Sequence, residues 1–412
     1  LYSKCFQRFV WNNPVHWDQN RRKWCHHRTG SPSLLVFYII MLLFIIPSGL
    51  LCNVYILLRQ NFKRDYNLKF IHVALCACFF AAHAFHAVTM VLVWCPFGDS
   101  LAKSYNELVQ LEVKLRMLKP PREGHNHKFS PLRDPVGTIL SAAVVGLAAI
   151  PMIMTIGGEK SRGHPSYVFY NAVVPQSWKD DRLTRYLILS YRMISTFICY
   201  VELSRNFALV LVLLISILKI LTSSLNLLDQ IKCWNRYTLN KNIDLYQEFL
   251  VMSMIIKRPQ SNLTFALMVV GFGLNVATNY GTIKFYSAIP YPAKGGPVFA
   301  LFPTLSVFIP IMIWSTLPKA VDCHEISSEI LRKWKCLSGS LPERLVIQIF
   351  QGTAGSSLGE RKYCNRRLKS LRTTTYNGGI GDFSIYTLTQ RTKTNYYWSI
   401  TYYTVTAVLS LN

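Results

Sequence analysis

The chain has 412 residues, of which 51% are hydrophobic and only 16% are charged, with 45 Lys and Arg against 20 Asp and Glu. In a water-soluble protein, a net charge of +25 would indicate a nucleic-acid partner. Here the basic residues lie between long uncharged stretches, where anionic lipid headgroups attract them. The composition therefore excludes an ordinary soluble protein, and we expect a lipid bilayer as a partner and no nucleic acid.

Seven stretches of the chain have the length and composition of membrane-spanning helices. About 20 apolar residues cross a ~30 Å hydrocarbon layer as a helix, and helices satisfy their own backbone groups in lipid. The stretches are Thr29–Leu58, Phe70–Gly98, Val136–Gly158, Met193–Leu218, Pro259–Ile283, Gly295–Pro318 and Thr394–Asn412. We therefore predict an all-α integral membrane protein with seven transmembrane helices.

The basic residues between these stretches predict the orientation of the chain. The connections on the side of the N-terminus hold 19 Lys and Arg without the long 319–393 loop, and those on the opposite side hold 12. Because cytosolic loops carry the excess of positive charge, we predict a cytosolic N-terminus and an extracellular C-terminus. One glycosylation sequon, Asn262-Leu263-Thr264, then lies at the cytosolic start of the fifth helix and points the other way.

The same pattern divides the chain into four parts. Residues 1–33 form a cytosolic N-terminal segment, which we expect to be incomplete because the chain begins with Leu1 rather than Met. Residues 34–318 contain helices one to six, and 319–393 form a long cytosolic loop before the seventh helix at 394–412. Because the outer connections are short apart from 159–192, we expect any ligand pocket to lie among the helices themselves.

Glu202 and Arg205 interrupt the fourth helix. An ionisable residue inside a membrane helix is costly and suggests a functional site. The spacing of three also puts the two side chains on one face, where they can neutralise each other. Phe197 and Tyr200 lie one turn away, so either a structural ion pair or a ligand pocket with aromatic and polar walls fits these four residues.

No motif in the chain indicates catalysis or a cofactor. The nucleophile elbow, the phosphate-binding loop and the His-Glu-x-x-His zinc motif are all absent from the sequence. His83 and His86 share a face of the second helix without a carboxylate nearby in sequence, which favours polar packing over a metal site. We therefore expect neither an enzyme nor a cofactor or metal.

The last helix carries a stripe of small, β-branched and polar residues. Thr401, Val405, Val408 and Asn412 recur at helical spacing and so share one face. A ring of such side chains could line a narrow pore that closes by dewetting. The same residue types are also enriched where membrane helices pack together. The spacing alone leaves both interpretations open.

Residues 366–410 resemble the C-terminal end of the insect gustatory and odorant receptor superfamily. The match begins with a basic segment at Leu368–Arg372 and ends with the signature pair Thr401-Tyr402 in the last helix. Between them lie a glycine-rich turn with an aromatic residue and two threonines before the helix, namely Gly378, Gly379, Gly381, Phe383, Thr387 and Thr389. Thr373 replaces the usual Pro, and Val408-Leu409 replace the usual Gln-Phe. These departures indicate a divergent gustatory-type receptor.

The resemblance implies a chemosensory receptor that is a subunit of a ligand-gated non-selective cation channel. Four copies, identical or mixed with related subunits, would surround one pore lined by the seventh helix, with Val405 at the gate. Small-molecule tastants or odorants would bind in the outer half of the bundle, and the 319–393 loop would carry an anchor segment. The expected location is the plasma membrane of a chemosensory neuron dendrite.

Two other classes of membrane protein remain open at this point. A G-protein-coupled receptor also has seven helices, but the Asn-Pro-x-x-Tyr motif is absent from the last helix and the opposite orientation is required. A secondary transporter would favour internal repeats, and the two halves of the chain are not similar.

Overall fold

The computed structural model describes residues 1–7, 11–27, 30–62, 70–118, 135–160, 164–231, 236–288, 301–340 and 356–410. Most of these residues are helical. The elements in chain order are α1 Tyr2–Phe6, β1 Val15–Asp18, β2 Lys23–His26, α2 Pro32–Phe62, α3 70–118, α4 Pro135–Lys160, α5 Pro165–Val173, α6 Gln176–Asp180, α7 Arg182–Gln230, α8 Arg236–Ala288, α9 Leu301–Ser340, α10 Ser356–Ser370, β3 Asn377–Ile380, β4 Phe383–Thr387 and α11 Gln390–Ser410.

Within these ranges, six helices are long and apolar enough to cross a bilayer, namely α2, α3, α4, α7, α8 and α9. The last helix, α11, has 21 residues and is therefore long enough, but its threonines and tyrosines make it more polar. The all-α membrane class is confirmed with six to seven spanning helices. The orientation of the termini stays a prediction.

Several helices continue well beyond the apolar stretch that marks them in the sequence. The helices α7, α8 and α9 contain 49, 53 and 40 residues. Residues 319–340 of the expected 319–393 loop are accordingly helical. These polar extensions pack on one another: the Tyr246 hydroxyl lies 2.7 Å from Ser327 Oγ and donates to the Arg372 carbonyl at 3.0 Å.

The first spanning helix, α2, is widened to π-helical geometry over Met41–Leu51 around Pro47. Proline lacks an N–H and its ring clashes with the carbonyl four residues earlier, and a π segment relieves this clash. The carbonyls near the proline find partners on α7, because the Tyr191 hydroxyl donates to Leu43 O and the Cys199 thiol donates to Phe44 O. Backbone groups freed in a membrane helix need such partners.

The centre of the bundle is α7, which packs against α4, α9, α3 and α2. Its start is capped by Asp181, whose carboxylate accepts from Thr184 N at 3.0 Å. Buried leucines, isoleucines and valines follow one another almost without interruption from Ala208 to Leu228. Most of this segment is apolar and buried, so α7 acts as the core of the molecule.

Two short hairpins flank the bundle at either end of the chain. The β1–β2 hairpin pairs Val15 with His26 and is fixed to α3 by Asn106, whose amide bonds both N and O of Trp24. The β3–β4 hairpin turns at Gly381, which has a φ of +62° that suits glycine. Its Gly381 N–H donates to Asn262 Oδ1 at 2.7 Å, which joins this hairpin to α8.

Candidate ligand cavity and last helix

A cavity of about 150 Å³ lies between α3, α4, α7, α8 and α9. Three lining residues carry a hydroxyl group, namely Tyr200, Ser204 and Thr278. The other lining residues are apolar: Leu75, Cys78, Phe79, Ala82, Leu147, Ile150, Met154, Leu203, Phe207, Leu211, Leu274, Phe302, Leu305, Phe308 and Ile309. A concave apolar site with a few polar groups is the usual form of a small-molecule pocket.

Tyr200 of α7 stands at one end of this cavity. Its ring packs edge-on against Phe79 with the centroids 5.6 Å apart, and its hydroxyl lies 3.2 Å from His164 Nε2. The other ring nitrogen of His164 lies 2.7 Å from Ser166 Oγ. Burial lowers the pKa of His164 to about 3, so the imidazole is neutral and can share its single proton within this chain of hydrogen bonds.

Of the four pocket residues expected from the sequence, Tyr200 alone lines this cavity. Phe197 is half-buried on α7, while Glu202 and Arg205 are buried. The two charged side chains form an ion pair of 2.7 Å and lie against the N-terminal segment. The ligand-facing role of Phe197, Glu202 and Arg205 stays a prediction.

Trp11 completes the buried ion pair. Its indole N–H donates to Glu202 Oε1, and its carbonyl accepts from Arg205 Nη1 at 3.2 Å. The guanidinium carbon also lies 5.8 Å from the centre of the Trp11 ring and 6.0 Å from that of Phe37. Charges taken out of water need this kind of partnering, so the geometry fits a structural ion pair.

The last helix contacts its own chain through one face. The Tyr396 hydroxyl donates to Met268 O at 2.9 Å, and Ile400 and Thr404 are buried. Thr401 is exposed, and Val405 and Tyr402 are each 51% exposed, while Val408 is half-buried. Asn412 lies outside the described residues. The stripe proposed for the pore therefore includes side chains that this chain's own packing does not cover.

The residues that line the cavity were largely missed by sequence reasoning. Phe79, Met154 and Phe302 come from three helices and have the same apolar character as ordinary core residues. The signal that could have found part of the site is His83, four residues after Phe79, because a buried histidine in a membrane helix needs a polar neighbour. In the structure, His83 Nδ1 lies 2.7 Å from Phe79 O, and His86 Nε2 lies 3.5 Å from the Met41 sulfur.

No protein-family model matches the chain. No curated protein matches it in sequence either.

Among solved structures, it is similar to the insect olfactory receptor OR5 from Machilis hrabei in complex with eugenol. The TM-score is 0.54 at 12% identity, over 94% of this chain and 93% of that chain. A second structure of the same receptor gives a TM-score of 0.49 at 11% identity, over 98% and 94%. The first match shows that the chain has the fold of an insect olfactory receptor, as the resemblance in the C-terminal residues predicts.

Proposed function

We propose that the chain is a chemosensory receptor, a subunit of a ligand-gated non-selective cation channel that detects small tastants or odorants. The observation that carries this proposal is the apolar cavity between α3, α4, α7, α8 and α9 in a chain with an olfactory receptor fold. The receptor with the similar fold was solved in complex with eugenol, and we extend small-molecule binding to this chain.

The cavity favours a small, neutral and mostly apolar ligand. Its volume of about 150 Å³ matches that of apolar protein cavities which stay dry and accept one benzene-sized ring. No charged side chain is among its lining residues, so a charged ligand would lose its hydration without gaining a counterion. The three hydroxyl-bearing side chains supply orientation rather than most of the affinity.

We assign the gate to the stripe of α11 that begins at Thr401. In this proposal four copies, identical or mixed with related subunits, bring Thr401, Val405, Val408 and Asn412 around one axis in the plasma membrane. A collar of valines blocks ions without charge, because water withdraws from a narrow hydrophobic pore. The exposure of Thr401 and Val405 in the single chain supports this assignment.

The test is whole-cell recording from cells that express the chain, with toluene and benzyl alcohol as probes. Leu274→Trp places a large ring into the cavity, so the ligand loses apolar contacts there. The ligand concentration that gives half-maximal current should rise at least about 10-fold, because the lost apolar burial weakens binding by that factor. Val269→Trp is the matched control, since Val269 lies on the same helix and is 52% exposed. Equal responses from both variants would place the ligand outside this cavity.

A further inference from the structure

A second, smaller cavity of about 20 Å³ lies next to the apolar cavity. Phe79 and Tyr200 line both cavities, so the two spaces meet at these rings. The other lining residues are mostly polar and include Ser48, Asn53, His83 and His164. We call this space the polar chamber.

Two buried atoms of the polar chamber have no hydrogen-bond partner in the described part of the chain. These are Nε2 of His83 and Oδ1 of Asn53, whose residues are 3% and 2% exposed. A buried polar atom without a partner costs free energy, so each such atom calls for an explanation.

Both of these atoms are acceptors. His83 Nδ1 lies 2.7 Å from the Phe79 carbonyl, which can only accept, so Nδ1 carries the proton and Nε2 has a free lone pair. The Asn53 amide nitrogen donates to Gly49 O at 2.6 Å, so its Oδ1 points elsewhere. The missing partner is therefore a hydrogen-bond donor.

The position of the His83 ring depends on Gly49. A Cβ at residue 49 would lie 2.4 Å from Cδ2 of His83, which is closer than side-chain contacts allow, and 3.0 Å from its Nε2. The same glycine provides the carbonyl that orients Asn53. Gly49 thus leaves room for the His83 ring and orients the Asn53 amide.

The chemistry of the chamber selects a neutral O–H group. Its volume of about 20 Å³ accommodates one oxygen atom, as for a single buried water. No carboxylate lines the chamber, so an ammonium group would be buried without a counterion. A hydroxyl donates to one of the acceptors, and the hydroxyl side chains of Ser48 and Thr196 can donate to it in return.

We propose that the polar chamber is a hydroxyl subsite, which receives the alcohol or phenol group of a ligand whose hydrocarbon body lies in the apolar cavity. This inference rests on the proposed function. The same O–H chemistry could come from a bound water, and the two sources are separated by the experiment below.

The experiment measures binding to purified protein in detergent, using benzyl alcohol and toluene as a pair that differs by one hydroxyl. The ligand-induced rise in the unfolding temperature gives the apparent affinity of each probe. The variants are Asn53→Leu and His83→Phe, each of which removes one acceptor at similar size. Asn275→Leu is the matched control, because Asn275 is 1% exposed, also lacks amide partners in the described chain, and lines neither cavity.

The wild type should bind benzyl alcohol about 10-fold more tightly than toluene, the value of one good buried hydrogen bond. The variant that removes the acceptor used by the hydroxyl, either Asn53→Leu or His83→Phe, should reduce this preference to about 2-fold without changing toluene binding, and Asn275→Leu should retain it. Equal affinity of the wild type for both probes would mean that the chamber holds water alone, and an unchanged preference in both chamber variants would place the hydroxyl elsewhere. Either result overturns the inference while leaving the apolar cavity as the ligand site. Failure of the wild type to bind either probe would overturn the proposed function itself.

Discussion

Arg205 and Glu202 are the most deeply buried opposite charges among the described residues, with side chains 2% and 1% exposed. The sequence predicted that they share a face of α7, because a spacing of three residues is a property of the helix alone. It could not predict Trp11, which lies 191 positions before Glu202 and donates to its carboxylate. The role of the pair therefore depends on a contact that only the folded chain creates.

Removing one member of this pair should be more damaging than removing both. Arg205→Met leaves the Glu202 carboxylate without its counterion, which costs about 3–5 kcal/mol for a buried pair. We expect a several-fold fall in the surface level, measured by biotinylation of intact cells. The double variant Glu202→Leu with Arg205→Met should recover most of it, since apolar replacements of similar volume are often neutral. A double variant no better than Arg205→Met would contradict a structural role for the pair.

Asn262 illustrates a residue whose sequence motif is misleading. As part of a sequon it suggests a glycan, but in the structure Asn262 and Thr264 are each 6% exposed. The Asn262 amide donates to Leu92 O at 3.2 Å and accepts from Gly381 N. Both functional groups of the side chain are therefore used inside the fold, and the motif carries no weight against the orientation predicted from charge.

At the scale of elements, the β1–β2 hairpin contains a group of histidines that should respond to pH. The rings of His16 and His27 stack with their centroids 4.4 Å apart. Burial, followed by the nearby His27, lowers the pKa of His16 below its ordinary value of 6.5. Burial also lowers the pKa of His26, although Asp99 opposes this shift. The folded hairpin thus favours neutral imidazoles.

Acid should loosen this hairpin. Because the folded chain binds protons less well than the unfolded chain, the stabilisation is complete above about pH 6.5 and is lost as the pH falls below it. We expect the unfolding temperature of the purified protein to be lower at pH 5.5 than at pH 7.5, and the difference to shrink when His16 and His26 are both replaced by Gln. Asn20→Gln on the exposed turn is the control. An undiminished pH dependence in the double variant would show that the hairpin does not respond.

The last helix, α11, gives a second prediction at this scale. Val405→Asn should raise the current measured without ligand, because a polar side chain admits water into an apolar collar. Tyr402→Ala, which changes an equally exposed neighbour stacked 5.2 Å from Trp398, should alter expression rather than basal current. Whole-cell currents are compared at matched surface levels. Basal current that rises with Tyr402→Ala and not with Val405→Asn would place the pore on another face of α11.

For the whole molecule, the excess of basic residues on one side predicts a cytosolic N-terminus and an extracellular C-terminus. A tag before Leu1 should be reached by antibody only after permeabilisation, and a tag after Asn412 should be reached in intact cells. Surface labelling of the N-terminal tag would contradict the orientation and favour a G-protein-coupled receptor.

The helices of this chain were predictable from the sequence and its cavities were not, for one physical reason. Hydropathy is local to each helix, so six of the predicted stretches fall on the six long apolar helices, and the ends of α2 and α4 were placed to within four residues. The polar ends of α7 to α9 pack on protein, so their full lengths were missed. The apolar cavity is assembled from five helices, with Leu75 of α3 and Ile309 of α9 both in its lining. Apolar residues around a void are the same types as those in a filled core, so the space appears only in the folded structure.

The central claim is tested most directly by ion conduction in a planar bilayer that holds the purified channel, formed by this chain or by this chain with related subunits, with benzyl alcohol as the ligand. The account predicts a current that appears on addition of benzyl alcohol and reverses at the equilibrium potential of cations when a salt gradient is applied. No G protein should be needed, which separates a channel subunit from a receptor that acts through a G protein. Binding of benzyl alcohol to the same preparation without any cation current would contradict the account.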